Sequence, residues 1–192
     1  MKPKLILPIL AMIFTALILT ACDSGPKQLV WQEEVRLKSG EIIKVNRTAK
    51  SKSFGEWGGP GGWENEGMTL QIATPNKADN PPIWDAKFVP VVFDRDEKTK
   101  EWFIVATFYS CESWYALGRP KLPYTEYRLK NGAWQQVALS PSVIGLISNM
   151  VTDISSGGEP PLIQIAAKRE RMATAGSAKE YTKIVSKWST GC

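Results

Sequence analysis

The chain has 192 residues and no histidine, and its 24 basic and 19 acidic residues give a formal net charge of +5 at pH 7. The lack of histidine excludes a Ser-His-Asp or Cys-His nucleophile pair and removes the commonest zinc ligand. The basic excess is too mild for a nucleic-acid binder, which carries a concentrated basic face. Composition therefore gives no support to nucleic acid as a partner.

The first 21 residues have the three-part layout of an export signal. Two lysines precede the apolar stretch 5–19, which is shorter than the roughly 20 residues that a membrane-spanning helix needs. Leu19-Thr20-Ala21-Cys22 resembles the lipobox of bacterial lipoprotein precursors. The resemblance implies cleavage before Cys22 and a diacylglyceryl thioether on its sulfur, which anchors the chain to a membrane. The alternative is an uncleaved anchor, or a plain signal peptide followed by an incidental Cys.

Asp23 resembles the signal that keeps lipoproteins in the inner membrane of enteric bacteria. The alternative is that residues 23–26 only begin a flexible tether. We expect a signal peptide over residues 1–21, a lipidated tether over 22–30, and a single β-rich globular domain over 31–192.

Two cysteines remain after lipidation, in a compartment where disulfides persist. A bridge between Cys111 and Cys192 is the natural pairing, and in the chain-entropy model such a loop adds roughly 4 kcal/mol of stability. Two free thiols are the alternative, because the sequence does not show their separation.

Three pairs of β-branched and aromatic runs flank turn signals, which predicts three β-hairpins. The paired runs are residues 31–37 with 41–47, 87–93 with 101–109, and 124–129 with 134–139. In the third hairpin, Asn131-Gly132 supplies the positive φ angles of a type I′ turn. The expected register then sets Leu129 opposite Trp134.

The remaining patterns complete a mainly β prediction. Residues 102–109 are apolar at nearly every position, which is typical of a central strand covered on both faces. Residues 68–73 alternate as a strand does, whereas residues 51–67 hold six glycines and predict a loop. We expect an antiparallel sheet of hairpins, sandwich- or barrel-like, with a C-terminal amphipathic helix.

The sequence also predicts two helices. Ser177-Ala-Lys-Glu180 matches a capping box, and apolar residues follow it at helical spacing. This stripe is Tyr181, Ile184, Val185 and Trp188. Ser140-Pro141 can start a second, short helix that runs to Ile147.

Carboxylates are the remaining acid–base groups, and they leave a glycan hydrolase as an alternative to a non-catalytic role. A retaining glycosidase needs two carboxyl groups about 5–5.5 Å apart, and no spacing in the chain selects a pair. The nearest candidates are Asp94, Asp96, Glu97, Glu101, Glu112 and Glu126. A solvated hairpin turn explains residues 94–97 better than a calcium site does. We expect no cofactor, no metal and no nucleotide, since the glycine-rich segment lacks a phosphate-binding Lys.

Tryptophan is abundant, with eight residues, and most are expected in the core. Trp57 and Trp63, flanked by glycines and acids, are the best candidates for contact with a glycan or protein partner. A loop folded over the sheet edge is the alternative. The densest basic stretch is Lys44, Arg47, Lys50 and Lys52. We interpret it as a solvated strand edge, with attraction to anionic lipid headgroups as the alternative.

Four segments resemble proteobacterial envelope lipoproteins that have no assigned activity. The segments are Phe93–Asp96, Cys111–Pro120, Lys130–Trp134 and Thr190–Cys192. The resemblance implies a compartment and a shared domain, and it implies no mechanism. We therefore expect a membrane-anchored envelope lipoprotein with a non-catalytic binding or structural role, in contact with an envelope protein or peptidoglycan.

Overall fold

The computed structural model describes residues 27–54, 62–74, 80–108, 111–152, 154, 159–174 and 182–188, and these form two β-sheets. The strands of the first, sheet A, are β1 (Lys27–Arg36), β2 (Ile42–Phe54), β3 (Gly62–Ile72), β4 (Trp84–Ala86) and β9 (Leu162–Ile163). Their order is β4-β3-β2-β1-β9. All neighbours are antiparallel except β1 and β9, which form a two-residue parallel pair.

The second sheet, sheet B, contains the remaining four strands in a fully antiparallel arrangement. They are β5 (Val89–Arg95), β6 (Trp102–Thr107), β7 (Tyr124–Lys130) and β8 (Ala133–Val137). Their order is β5-β6-β7-β8, so β6 lies inside the sheet, and all six of its residues are buried. The prediction of a central strand covered on both faces is confirmed.

The two sheets pack face to face around one core, which confirms the mainly β, sandwich-like fold. Trp31, Val45 and Leu70 enter this core from sheet A, and Ile104 and Tyr127 enter it from sheet B. Each such side chain contributes about 1.5–3 kcal/mol when it is fully buried. Apolar burial between the sheets is therefore the main source of stability.

The outer face of sheet B is covered by chain that follows β8. Ile184 and Val143 form a second core with residues of β5, β6 and β7. Ile184 is held there because its N–H donates to Leu146 O at 2.9 Å and its carbonyl accepts from Gly145 N at 2.8 Å. Sheet B is thus the middle layer of three, which explains why β6 has no solvent-facing side.

All three predicted hairpins are present. In the first, the pairing reaches Arg36 opposite Ile42, directly beside the turn. In the third, Leu129 lies opposite Trp134 as expected. The turn between them has φ angles of 52° at Asn131 and 76° at Gly132, which a type I′ turn requires.

The loop predicted over residues 51–67 is wrong at both of its ends. The strand β2 continues to Phe54, and β3 already begins at Gly62, directly opposite it. Backbone hydrogen bonds form this ladder whatever the side chains are, so pairing with β2 outweighs the entropic cost of the glycines. The register shifts between Lys50 and Ser51, where a bulge accommodates the irregular sequence.

The described helices are α1 (Cys111–Ala116), a single 3₁₀ turn (Pro141–Val143) and α2 (Ile165–Thr174). The fold does have a helix near the C-terminal end of the described residues, α2. It lies before the predicted capping box Ser177–Glu180, and not after it. Thr182–Trp188, predicted as helical, contains no helix, because its backbone pairs with residues 145–148 instead. The short helix predicted after Ser140 ends at Val143, and the Ser140 side chain makes no capping hydrogen bond.

The structure describes none of residues 1–26, which include the signal segment, Cys22 and Asp23. β1 begins at Lys27, so the last four residues of the tether predicted over 22–30 belong to a strand. Among the described residues, no helix has both the length and the apolar character to cross a membrane.

Candidate functional site

Two charged side chains lie on the core-facing side of sheet A. Glu33 follows Trp31 at a spacing of two along β1, and Arg47 follows Val45 in the same way along β2. Alternate residues of a strand share a face, so both charges point inward with their apolar neighbours. Because Trp31 is the cross-strand partner of Arg47, Glu33 and Arg47 are diagonal neighbours and can meet.

Glu33 and Arg47 form an ion pair with no solvent exposure of either side chain. Arg47 Nη1 donates to Glu33 Oε1 at 2.7 Å and to the carbonyl oxygen of Val151 at 2.7 Å. The guanidinium carbon lies 4.8 Å from the centre of the Trp31 ring. The pair therefore fixes the segment around Val151 against sheet A.

Lys168, from α2, is the third member of this buried network. Its Nζ donates to Glu33 Oε2 at 3.0 Å and to the carbonyl oxygen of Asn149 at 2.5 Å. Burial lowers the pKa of Lys168, and the nearby charge of Glu33 opposes that shift. One buried carboxylate thus serves two buried cations.

The side chain of Asn149 links the two sheets. Its Nδ2 donates to Arg36 O at 3.1 Å and to Phe93 O at 2.9 Å, and its Oδ1 accepts from Phe93 N at 3.0 Å. Arg36 ends β1 of sheet A and Phe93 belongs to β5 of sheet B. The chain at residue 149 is therefore held in place by both sheets.

A cavity of about 460 Å³ opens beside this network. It lies between the end of β1, the segment 147–149, the first turn of α2 and Thr182. The described lining residues are Arg36, Ile147, Ser148, Asn149, Ile165, Lys168, Arg169 and Thr182. The volume falls in the range of about 300–1,000 Å³ that small-molecule sites occupy.

The described lining of this cavity carries three cations and no carboxylate. Arg36 and Arg169 are exposed, and among the described residues neither guanidinium has an acidic partner. Lys168 lies deeper and is held by Glu33. The cavity is therefore a basic site in which Lys168 is fixed by Glu33, whereas no described carboxylate pairs with Arg36 or Arg169.

The carboxylates proposed for glycan hydrolysis gather instead around Arg128, on the outer face of sheet B. Arg128 Nε donates to Glu126 Oε1 at 2.6 Å, and its Nη1 lies 3.3 Å from Asp96 Oδ2 and 3.8 Å from Glu101 Oε2. Burial lowers the pKa of Arg128, but the charges of Glu126 and Asp96 outweigh it and raise the pKa overall. Arg128 also lines a smaller cavity of about 200 Å³.

The other acidic candidates have separate partners. The carboxylate of Asp94 accepts from Lys38 N at 2.9 Å and from Arg95 N at 2.7 Å, and burial raises its pKa. Glu97 pairs with the ammonium of Lys38 at 3.2 Å, at the surface. Glu112 lies in α1, and nothing is described of its side chain. Among the described residues, no three His, Cys, Asp or Glu side chains form a group that could hold a metal.

The residues proposed for ligand contact, lipidation and disulfide bonding mostly fall outside the described residues. These are Cys22, Asp23, Trp57 and Cys192. Trp63 lies in β3, where it pairs with Ser53. Cys111 begins α1 and is exposed, and its pairing with Cys192 stays a prediction.

Sequence reasoning missed the buried network. The interpretation of Lys44, Arg47, Lys50 and Lys52 as a solvated strand edge is wrong, because β2 is paired with a strand on each side and Arg47 has no exposed surface. Alternation with Val45 signals its inward direction, and alternation with Trp31 does the same for Glu33. No comparable signal exists for Lys168, because its contact with Glu33 spans 135 residues of chain.

The site thus consists of a basic cavity, a fixed ammonium at its wall and two guanidinium groups at its mouth. No protein-family model, curated protein or solved structure matches this chain.

Proposed function

We propose that this chain is a non-catalytic binding lipoprotein of the bacterial cell envelope, anchored through a lipid on Cys22. Its cavity between β1, residues 147–149 and α2 binds a small molecule. The cavity itself carries the proposal, because its size suits a ligand and its walls are held by hydrogen bonds of Glu33, Asn149 and Lys168.

Native mass spectrometry of the protein, purified from the membrane in mild detergent, tests the binding role. We expect a retained small molecule, and we expect Ile165→Trp, which fills the cavity, to lose it. Ile83→Trp is the matched control, because Ile83 is 54% exposed and does not line the cavity. The proposal fails if no molecule is retained and a metabolite extract gives no thermal shift that Ile165→Trp abolishes.

The lipobox-like segment supports the anchor. We expect Cys22→Ala to accumulate as an unprocessed precursor that incorporates no radioactive palmitate, whereas Cys111→Ala is processed and labelled normally. Normal processing of the Cys22 variant contradicts the anchor. Asp23 supports retention in the inner membrane, and Asp23→Ser is expected to move the protein to the outer-membrane fraction of a sucrose gradient.

Peptidoglycan or an envelope protein is the proposed neighbour of the domain. Pulldown with purified peptidoglycan, compared between the wild type and Trp57→Ala/Trp63→Ala, tests the glycan contact. The same material tests the hydrolase alternative through release of muropeptides over time. We expect no release, because Asp96, Glu101 and Glu126 all lie against the guanidinium of Arg128.

A further inference from the structure

The charge around the cavity is unbalanced. Arg36, Lys168 and Arg169 line it, and Arg47 lies directly behind Lys168 in the buried network. Among the described residues, two carboxylates oppose these four cations: Glu33, shared by Arg47 and Lys168, and Glu34, which accepts the first amide of α2, Ile165 N, at 3.3 Å. The described residues therefore present an excess of positive charge to the cavity, and like charges held this close repel one another.

The donors at the cavity have spare capacity for an anion. Two of the three N–H bonds of the Lys168 ammonium are used, by Glu33 and Asn149. The guanidinium groups of Arg36 and Arg169 have no carboxylate partner among the described residues, and their fork geometry matches a carboxylate or phosphate. Because Glu34 occupies the first amide of α2, these side chains are the receptors for the anion.

The cavity also has an apolar wall. Ile147 is 67% exposed although its backbone is fixed by pairing with Lys183, and the half-buried Ile165 lines the same cavity. An inorganic anion has no apolar group to cover this wall, so the wall stays exposed to water. A ligand with an apolar group covers it and gains about 25 cal/mol for each Å² that it removes from water.

From this placement we infer that the cavity binds an anionic ligand that carries an apolar group. Its phosphate or carboxylate lies among Arg36, Lys168 and Arg169, and its apolar group packs against Ile147 and Ile165. The inference rests on the proposed binding function and adds the ligand class. This chemistry is shared by the headgroup region of an anionic lipid and by a free alkyl phosphate or carboxylate.

Isothermal titration of the full lipidated protein in dodecyl maltoside, a neutral detergent, tests the ligand class with three probes. Hexyl phosphate is expected to bind at one site per chain, at least tenfold more tightly than inorganic phosphate or hexanol. Equal affinity for inorganic phosphate overturns the apolar contact. Equal affinity for hexanol overturns the anionic contact while leaving the cavity a binding site, so the two proposals fail separately.

Substitution of the two free guanidinium groups tests where the anion lies. Arg36→Gln and Arg169→Gln are each expected to weaken hexyl phosphate binding about tenfold, because each removes a charge-assisted hydrogen bond. Neither side chain has a structural partner among the described residues, so the melting temperature is expected to stay unchanged. Lys130→Gln, at the end of β7, removes the same charge away from the cavity lining and is expected to leave affinity unaltered. Undiminished binding by the double Arg variant overturns the inference.

A fourth probe distinguishes the two sources of the ligand. The probe is dihexanoyl phosphatidylglycerol. Tighter binding of this lipid than of hexyl phosphate, together with a loss of its affinity in the double Arg variant, supports an anionic lipid as the ligand. The reverse order supports a free anion. Failure of both probes to bind overturns the inference.

Discussion

At the scale of single residues, the most consequential side chains are the charges buried between sheet A and α2. The inward direction of Glu33 and Arg47 can be predicted from strand alternation once the hairpin is recognised. Their partner cannot be predicted, because Lys168 lies 135 residues from Glu33 along the chain and no local pattern links the two. Local patterns therefore give the direction of a side chain, and tertiary packing decides what it meets.

Glu33 is the one carboxylate that the described residues place between Arg47 and Lys168, which makes Glu33→Gln a severe substitution. The change leaves Arg47 and Lys168 buried without an anion, so we expect the free energy of unfolding to fall by about 3–5 kcal/mol. Urea denaturation measures the change. Glu41→Gln is the control, because Glu41 is exposed at the first hairpin turn and is expected to alter stability by less than about 0.5 kcal/mol.

Replacement of the whole network separates charge from packing. We expect Glu33→Leu/Arg47→Met/Lys168→Met to recover most of the stability that Glu33→Gln loses, because no charge then remains buried without a partner. A triple variant as unstable as Glu33→Gln would show that shape, and not charge, explains the loss.

The pKa values of two neighbouring carboxyl groups, Asp94 and Asp96, are expected to be shifted in opposite directions. Burial raises the pKa of Asp94 above 3.8, whereas hydrogen bonds from Thr99 N and Lys98 N lower that of Asp96. The contribution of Asp94 to the free energy of unfolding is thus fully present below pH 3.8, and it is lost as the pH rises through the pKa of Asp94 in the folded protein. Stability from Asp96 is present above pH 3.8 and is lost as pH falls through its folded pKa. Carboxyl-detected NMR titration tests this order, and equal pKa values would contradict it.

At the scale of elements, the hairpins could be predicted because their turns are chemically specified within a few residues. The extension of β2 and β3 into residues 51–67 could not be predicted. It depends on backbone hydrogen bonds, and a glycine-rich sequence gives no signal for them. The helix predicted at the end of the chain shows a different limit. In the predicted apolar stripe, Ile184 is fully buried and Val185 is partly buried against the same core, and extended backbone pairing rather than a helix places them there.

The third hairpin turn depends on a residue that tolerates positive φ. Gly132 has φ of 76° and open space where a Cβ would lie, so Gly132→Ala costs only conformational strain. We expect this variant to lose about 1–2 kcal/mol of stability, seen as a lower urea midpoint. Lys130→Ala, in the same turn, is expected to change the midpoint little. An unaltered midpoint in Gly132→Ala would contradict the type I′ assignment.

At the scale of the whole molecule, the chain returns near its C-terminus to close the outer face of sheet B. Ile184 is fully buried there, and the Cys111–Cys192 bridge predicted from the sequence would fasten the last residue of the chain to α1. The three-layer arrangement was not predictable, because the sequence patterns that indicate strands do not show on which face of sheet B another part of the chain will pack.

Thiol labelling of the denatured, unreduced protein tests that bridge. We expect no reactive thiol at Cys111 or Cys192, and we expect reduction to lower stability by up to roughly 4 kcal/mol. Cys111→Ser in the unreduced protein is the control, because it should match the reduced wild type. Two thiols labelled per chain would contradict the bridge.

The walls of the basic cavity come from distant parts of the chain, from Arg36 near one end to Thr182 near the other. No fragment that stops short of residue 182 possesses the complete receptor, however well its sheets fold. Under the proposed function, the ligand can therefore bind only after the chain has been made and folded as far as residue 182.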